Sequence, residues 1–410
     1  MKISEEVRNI IELSNPWWFG RPFATGIQRS FYESEIQRNL SILSILFILG
    51  PRRVGKTTLI FRTIKNLIEQ NGVNPKEILF LSLDNPTFSS VNLEVFITKA
   101  GYKYVFLDEV QYYENWQVVI KSLFDNPSRE YVMICSGSAA SLISDKTSYL
   151  TGRTNKLIVS PLEYREFKKF SSSMNYPSGI EEYLEIGGYP EYVLERKPNY
   201  HNDLFADVVQ KDIVELFKVT RKDVFFDICT IVAKQIGYKS SYNKLSNVIG
   251  LSIDTTKSYI EYLSRAYVLS SISKYSPSVN DRIYSAKKFY FYDTGMRNSF
   301  VGFEDMGSIA ENSVFINLNR KYPNAQIFYI SGLHAQEVDF LVINKGEILL
   351  IEVKYDVYKE QVLNKISKLF YSNVYDLNIS KRIVVTKSVK DESEINGVKI
   401  AMVPLEEFIG

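Results

Sequence analysis

The sequence has two cysteines, Cys135 and Cys229, and two histidines, His201 and His334, among 410 residues. So few thiols exclude a disulfide framework and a cysteine-rich zinc centre, and Cys135 lies in an apolar run that reads as a buried strand. Two histidines leave no material for a histidine-ligated zinc site or a histidine-based catalytic triad; His334 is taken as a loop residue. Long apolar runs are also missing. The longest, Ile42 to Leu49, is broken by Ser44 and is too short to cross a bilayer. The opening MKISEEVRNIIELS carries acids and no long apolar stretch, so it does not read as a signal peptide. A cytoplasmic protein with reduced thiols and no membrane association is expected. Neither sign of charge dominates: 49 Lys and Arg against 47 Asp and Glu give a formal net charge of +2, so any nucleic-acid contact must come from a local patch. No internal repeat and no low-complexity tract occurs.

What is present is ample core material. Hydrophobic residues make up 45% and charged residues 23%, enough for a folded protein of two to four domains. Up to about Phe170, short apolar runs alternate with helical patterns, which is the signature of an α/β fold with a doubly wound parallel sheet. SILSILFIL from Ser41, EILFLSL from Glu77, YVFLDEV from Tyr104, YVMICSGS from Tyr131 and KLIVS from Lys156 read as its strands. The turn-rich SSSMNYPSG from Ser171 and SPSVNDR from Ser276 read as boundaries. The expected organisation is an N-terminal arm (1–35), a P-loop core (36–170), a helical lid or linker (171–225), a winged helix-turn-helix (226–280) and a small α/β domain (281–410). In the helix-turn-helix, Leu245 and Val248 are expected to face inward, Gly250 to turn the chain, and Thr255, Tyr259 and Leu263 to open and line the second helix. Lys257, Ser258 and Arg265 on that helix are candidates for DNA contact, protein packing being the other use of such a module. In the tail, EVDFLVI and EILLIEVKY are joined by NKG, a hairpin signal.

Gly50 to Thr57 reads GPRRVGKT, a full match to GxxxxGK[ST] between an apolar strand and a helix. Such a loop wraps phosphates with backbone N–H groups at a helix N-terminus, so Gly50, Pro51, Arg52, Arg53, Val54, Gly55, Lys56, Thr57 and Thr58 are the candidate ATP-binding residues. Lys56 is suited to the outer phosphates and the Thr57 hydroxyl to Mg²⁺. A second acid should end an apolar strand beside the P-loop, and YVFLDEV supplies Asp108 for the metal and Glu109 as general base. At the tip of YVMICSGS, Ser138 is preferred to Ser136 as a sensor of the γ-phosphate; a serine turn capping a helix from Ala139 is the other reading. Arg153 is a candidate arginine finger for a neighbouring subunit of a homo-oligomer, or else a solvated surface arginine. No NKxD-like guanine-reading motif follows the strands, since Asn344 and Lys345 fall in the hairpin turn. Trp17 and Trp18 read as an aromatic anchor for the N-terminal arm.

The order NPWW, GPRRVGKTT, SLDNP, FLDEVQ, SGSA, GRT, PLEYREF, GGYPEY and EVDFLV…IEVK resembles prokaryotic AAA+ ATPases with a C-terminal DUF4143-type domain, over nearly the whole chain. The resemblance implies a C-terminal domain similar to the PD-(D/E)xK restriction-endonuclease fold. Asp339 and Glu352, on the two arms of the hairpin, are then candidate ligands for a second Mg²⁺ or Mn²⁺, with Lys354 as the catalytic lysine. Glu311, on the preceding helix, matches the family's helical acid and is a further candidate ligand. Two functions are compatible with these residues. In one, ATP hydrolysis regulates a nuclease-like domain acting on nucleic acid. In the other, the protein is a nucleotide-dependent switch or scaffold whose C-terminal domain binds a partner without cleaving it.

Overall fold

The computed structural model describes residues 4–41, 43–138, 150–332, 336–355, 362, 366, 368–371 and 375–410. The chain divides into two compact units between Ser160 and Pro161.

In the first unit, β1 (Ile45–Leu49), β2 (Ile78–Ser82), β3 (Tyr104–Asp108), β4 (Val132–Gly137) and β5 (Thr154–Ile158) form one sheet in the order β2-β3-β4-β1-β5. All four pairings are parallel. Every residue of β1 is buried, so its sequence ILFIL shows no polar alternation, as suits a strand covered on both faces. Helices Lys56–Glu69, Leu93–Ala100 and Trp116–Asp125 lie in the connections. The acid-bearing β3 is not paired with the P-loop strand β1, because β4 pairs with both and lies between them.

The N-terminal arm closes the outer edge of this sheet. Asn15 copies a strand partner: its Nδ2 donates to the Phe80 carbonyl at 2.9 Å, and the Phe80 N–H donates to its Oδ1 at 2.7 Å. The indole N–H groups of Trp17 and Trp18 both donate to the Ile78 carbonyl, at 3.2 and 2.7 Å. The anchoring reading of the two tryptophans therefore holds, and an edge strand is covered.

The second unit begins with helices Tyr164–Ser173, Ile180–Ile186, Pro190–Glu195 and Tyr200–Val208. The turn at Gly187 and Gly188 is closed by Asp293, whose carboxylate accepts the N–H of Gly188 at 2.7 Å and of Met296 at 2.8 Å. A Cβ on Gly187 would lie 2.3 Å from Asp293 Oδ1, which explains the glycine in GGYP. Helices Tyr242–Ile249 and Ile253–Arg265 follow Asp223–Lys234, and Gly250 at φ 72° makes the turn between them. Leu245 is buried as expected, whereas Val248 is 64% exposed: on this short helix it falls outside the face that carries Leu245.

Among the described residues, nine strands of this unit form one mixed sheet. They are β6 (Lys239–Ser240), β7 (Leu269–Lys274), β8 (Lys287–Phe291), β9 (Gln326–Ser331), β10 (Glu337–Asn344), β11 (Glu347–Lys354), β12 (Lys381–Thr386), β13 (Asp391–Ile395) and β14 (Val398–Pro404). The order is β13-β14-β12-β11-β10-β9-β7-β8-β6. The β10–β11 hairpin turns at Lys345 and Gly346, both at positive φ, as a two-residue loop requires. The segment expected to separate two domains at residue 280 instead contains the helix Val279–Tyr284, which connects β7 to β8 within the sheet. The parallel β7–β9 pairing then joins the strands after the helix pair to the C-terminal hairpin. Among the described residues no helix is long and apolar enough to cross a membrane.

Candidate functional site

The P-loop leaves the C-terminal end of β1 and enters the helix Lys56–Glu69. Gly50 has to be glycine, since at φ 147° a Cβ would lie 2.1 Å from the Val159 carbonyl oxygen. Gly55, at φ 93°, starts the helix from the left-handed region. The Lys56 side chain is buried, and its ammonium donates to the carbonyls of Gly50 at 3.1 Å and Pro51 at 2.9 Å, so the loop curls around the charge. Arg52 donates to the Tyr112 hydroxyl at 2.8 Å, and the exposed Arg53 takes φ 61°.

Although β3 is not adjacent to β1, Asp108 reaches the loop. Thr57 Oγ1 donates to Asp108 Oδ2 at 2.6 Å, and Ser136 Oγ donates to Asp108 Oδ1. Burial pushes the Asp108 carboxyl above the ordinary carboxylate range and Glu109 adds to this, while Ser136, Thr57 and Lys56 pull it down. Glu109 sits in the left-handed region at φ 51° and accepts a hydrogen bond from Gln111 Nε2. The ends of β3 and β4 and the first turn of the helix Lys56–Glu69 thus bring Asp108, Ser136 and Thr57 together. Ser138, preferred from the sequence, is buried just beyond the end of β4. The helix read from Ala139 lies outside the described residues.

Arg153 is not brought to this site. It precedes β5 at the end of the sheet opposite the P-loop, about 16 Å away along the strand direction. There it makes two hydrogen bonds to Asp125, at 2.8 and 3.2 Å. A residue that sequence reasoning missed is Arg29, which is 3% exposed. Its guanidinium donates to the carbonyl of Val54 in the P-loop and to that of Ser160, both at 3.0 Å. The one available signal was an arginine inside an otherwise unremarked arm.

In the second unit the hairpin register that pairs Phe340 with Ile351 sets Asp339 across from Glu352. The expected residues do gather, but around an ammonium that the sequence reading did not include. Lys288 of β8 is 1% exposed, and its Nζ lies 2.6 Å from Glu337, 3.1 Å from Glu311 and 3.2 Å from Asp339. Tyr290, two residues on and therefore on the same face of the strand, donates to Glu311 at 2.7 Å. Lys354 donates to Glu352 at 2.5 Å, and Glu352 also accepts the Asp339 N–H at 3.3 Å. Asp339 Oδ2 accepts the Val353 N–H at 2.9 Å. Burial raises the carboxyls of Glu311 and Glu352, with the charge of Asp339 next in effect on each. Burial opposes the charge on Lys288, but Glu311 and its neighbours outweigh it and hold the ammonium charged. Among the described residues no group of three or more His, Cys, Asp or Glu is spaced to hold a metal ion. Lys288 was missed because a KK pair opening KKFYFYDTG reads as surface charge.

On the helix Ile253–Arg265, Lys257 lies 3.7 Å from Asp254 and Arg265 lies 2.6 Å from Glu261, while Ser258 donates to the Asp254 carbonyl. Tyr259 and Tyr262 stack on Phe225 and Phe217. His201 is buried in the helical region, and His334 lies outside the described residues.

Comparison with known proteins gives three matching family models: an AAA domain over residues 43–168, a domain of unknown function, DUF8612, over 178–307, and DUF4143, likewise of unknown function, over 306–408. An uncharacterized protein of Haemophilus influenzae is 24% identical over 383 residues, covering 88% of this chain and 93% of that protein. One from Methanocaldococcus jannaschii is 25% identical over 381 residues, covering 85% and 84%. Among solved structures, the Aeropyrum pernix ORC2 protein is 13% identical with a TM-score of 0.39, covering 66% of this chain and 92% of that one. A TM-score so low carries no argument. The strand order, the P-loop and the family matches agree: the chain carries an AAA domain with a P-loop NTPase fold, followed toward its C-terminus by a DUF4143 domain.

Proposed function

We propose that this chain binds ATP with Mg²⁺ at its P-loop and hydrolyses it, and that the nucleotide cycle switches a C-terminal domain that binds a partner without cutting it. The observation that carries the first part is the hydrogen-bonded line of Thr57, Asp108 and Ser136 in front of a loop curled around Lys56. These are oxygen groups of the kind Mg²⁺ prefers, at the N-terminus of a helix that favours phosphate. Thr57 and Asp108 would hold the ion, which when bound neutralises charge on the outer phosphates. Lys56 exchanges the Gly50 and Pro51 carbonyls for phosphate oxygens. Water attacks the γ-phosphorus, the bond to the β–γ bridging oxygen breaks, and Glu109 accepts the proton. Ser136, rather than Ser138, orients Asp108 in this reading. Arg153 plays no part in the site of its own chain.

The non-cutting reading of the C-terminal domain is supported by the engagement of Glu311 and Asp339 with Lys288, and of Glu352 with Lys354. Those residues do not fit a metal ion as they stand. DNA contact by Lys257 and Arg265 has against it the acids that already pair them.

The test measures phosphate release from ATP by the wild type, Lys56→Ala and Asp108→Asn. The same preparations are incubated with labelled single- and double-stranded DNA, Mg²⁺ or Mn²⁺, with and without ATP, beside Lys354→Ala. We expect both P-loop site variants to lose at least about 100-fold in turnover and no preparation to cut. Turnover that survives Lys56→Ala would sink the first part. Cutting that Lys354→Ala abolishes would replace the second part with a nuclease.

A further inference from the structure

We infer that the ammonium of Lys288, on β8, is the resident cation of the carboxylate cluster of β10 and the helix Met306–Lys321, standing where a divalent ion would otherwise sit. This deepens the non-cutting reading of the C-terminal domain and does not depend on ATP hydrolysis in the first unit.

Three observations carry it. First, Lys288 is almost wholly buried and touches three carboxylates from two segments of chain, Glu311 of the helix and Glu337 and Asp339 of β10. A buried ammonium is costly unless it is paired and hydrogen-bonded, so a site that meets one with three carboxylates is built for it. Second, the scale of the shell matches an ammonium. Its N–O distances of 2.6 to 3.2 Å are those of charge-assisted hydrogen bonds, whereas Mg²⁺ needs its oxygens at about 2.1 Å. Third, other acceptors of the cluster are also engaged from within the chain. Asp339 Oδ2 and Glu352 accept backbone N–H groups, Lys354 takes Glu352 Oε1, Lys239 lies 2.8 Å from Glu337 Oε2, and Tyr290 donates to Glu311. The acids of the cluster are thus shared among Lys288, Lys354 and Lys239.

Truncating Lys288 leaves Glu311, Glu337 and Asp339 facing a space with no counter-charge, and the same oxygens become ligands for a hard divalent ion.

The experiment uses full-length, nucleotide-free protein with Mn²⁺ alone as the probe. Bound Mn²⁺ is counted from the loss of the free-ion EPR signal, and melting temperature is measured in EDTA and in excess Mn²⁺. For the wild type we expect no Mn²⁺ site that Asp339→Asn removes, and equal melting temperatures in the two conditions. Lys288→Met should melt lower in EDTA, gain one bound Mn²⁺ per chain and recover its melting temperature when Mn²⁺ is added. The double variant Lys288→Met/Asp339→Asn should lose that gain. A wild-type Mn²⁺ site abolished by Asp339→Asn overturns the inference, as does a folded Lys288→Met that gains no site. Where Lys288→Met fails to fold, the wild type against Asp339→Asn still decides the matter. A wild-type Mn²⁺ site in protein that cuts no DNA would end this inference while leaving the non-cutting reading in place.

Discussion

At the scale of single residues, the second unit holds two buried titratable groups with opposite pH dependence. His201 and Asp293 lie 3.6 Å apart. Burial lowers the His201 pKa to about 4, so its neutral form is held in the fold while the unfolded chain protonates it below its ordinary value. Its contribution is present above that value and is lost as pH falls from about 6.5 to about 4, a change of about 3 kcal/mol. Burial raises the Asp293 pKa to about 6, against the pull of the N–H groups of Gly188 and Met296, so its contribution has the other sign and grows as pH falls through the same window. We therefore expect His201→Gln to gain about 3 kcal/mol relative to the wild type between pH 6.5 and pH 4, measured by urea unfolding at the two pH values. Equal pH slopes in the two proteins would exclude this account. Residue identity was legible where a motif dictates it, as for Lys56, Thr57 and Asp108. It was not legible for Arg29 and Lys288, because a buried charge looks like a surface charge until its partners from distant segments are known.

At the scale of elements, the outer edge of the parallel sheet rests on an asparagine that behaves as one residue of a missing strand. Both backbone groups of Phe80 are satisfied by Asn15, and the same side chain donates to the Ile11 carbonyl at 2.7 Å. Asn15→Ala leaves the N–H and C=O of Phe80 buried without these partners, which costs about 3 kcal/mol. The check is urea unfolding followed by tryptophan fluorescence; a loss below about 0.5 kcal/mol would mean that water reaches this edge and takes over the bonds. The elements themselves were readable because apolar runs such as ILFIL and YVFLD permit little besides buried strands. Their neighbours were not. That β4 lies between the P-loop strand and the strand with Asp108 is a matter of pairing between segments, which periodicity within each segment does not encode.

At the scale of the whole molecule, the three tryptophans, Trp17, Trp18 and Trp116, all belong to the first compact unit. Tryptophan fluorescence therefore follows that unit alone, while far-ultraviolet circular dichroism follows both. We expect the two signals to give separate urea transitions. A non-hydrolysable ATP analogue with Mg²⁺, at about a hundredfold excess over its Kd, should stabilise the fluorescence transition by about 3 kcal/mol. Coincident transitions, or an analogue that moves only the dichroism signal, would contradict this assignment. The sequence by itself determined that the chain has a P-loop with its acid and serine strands, because close approach to phosphate admits few residues and the spacing is local. It also determined the β10–β11 hairpin, because the short Asn-Lys-Gly stretch, with a glycine free to take positive φ, stands between two apolar β-rich runs. Only the tertiary structure decided that the strands after the helix pair continue into the C-terminal sheet, and that Lys288 enters the acid cluster. Both depend on β7 pairing with β9, a long-range contact whose formation depends on burial summed over the whole sheet rather than on any short stretch of sequence.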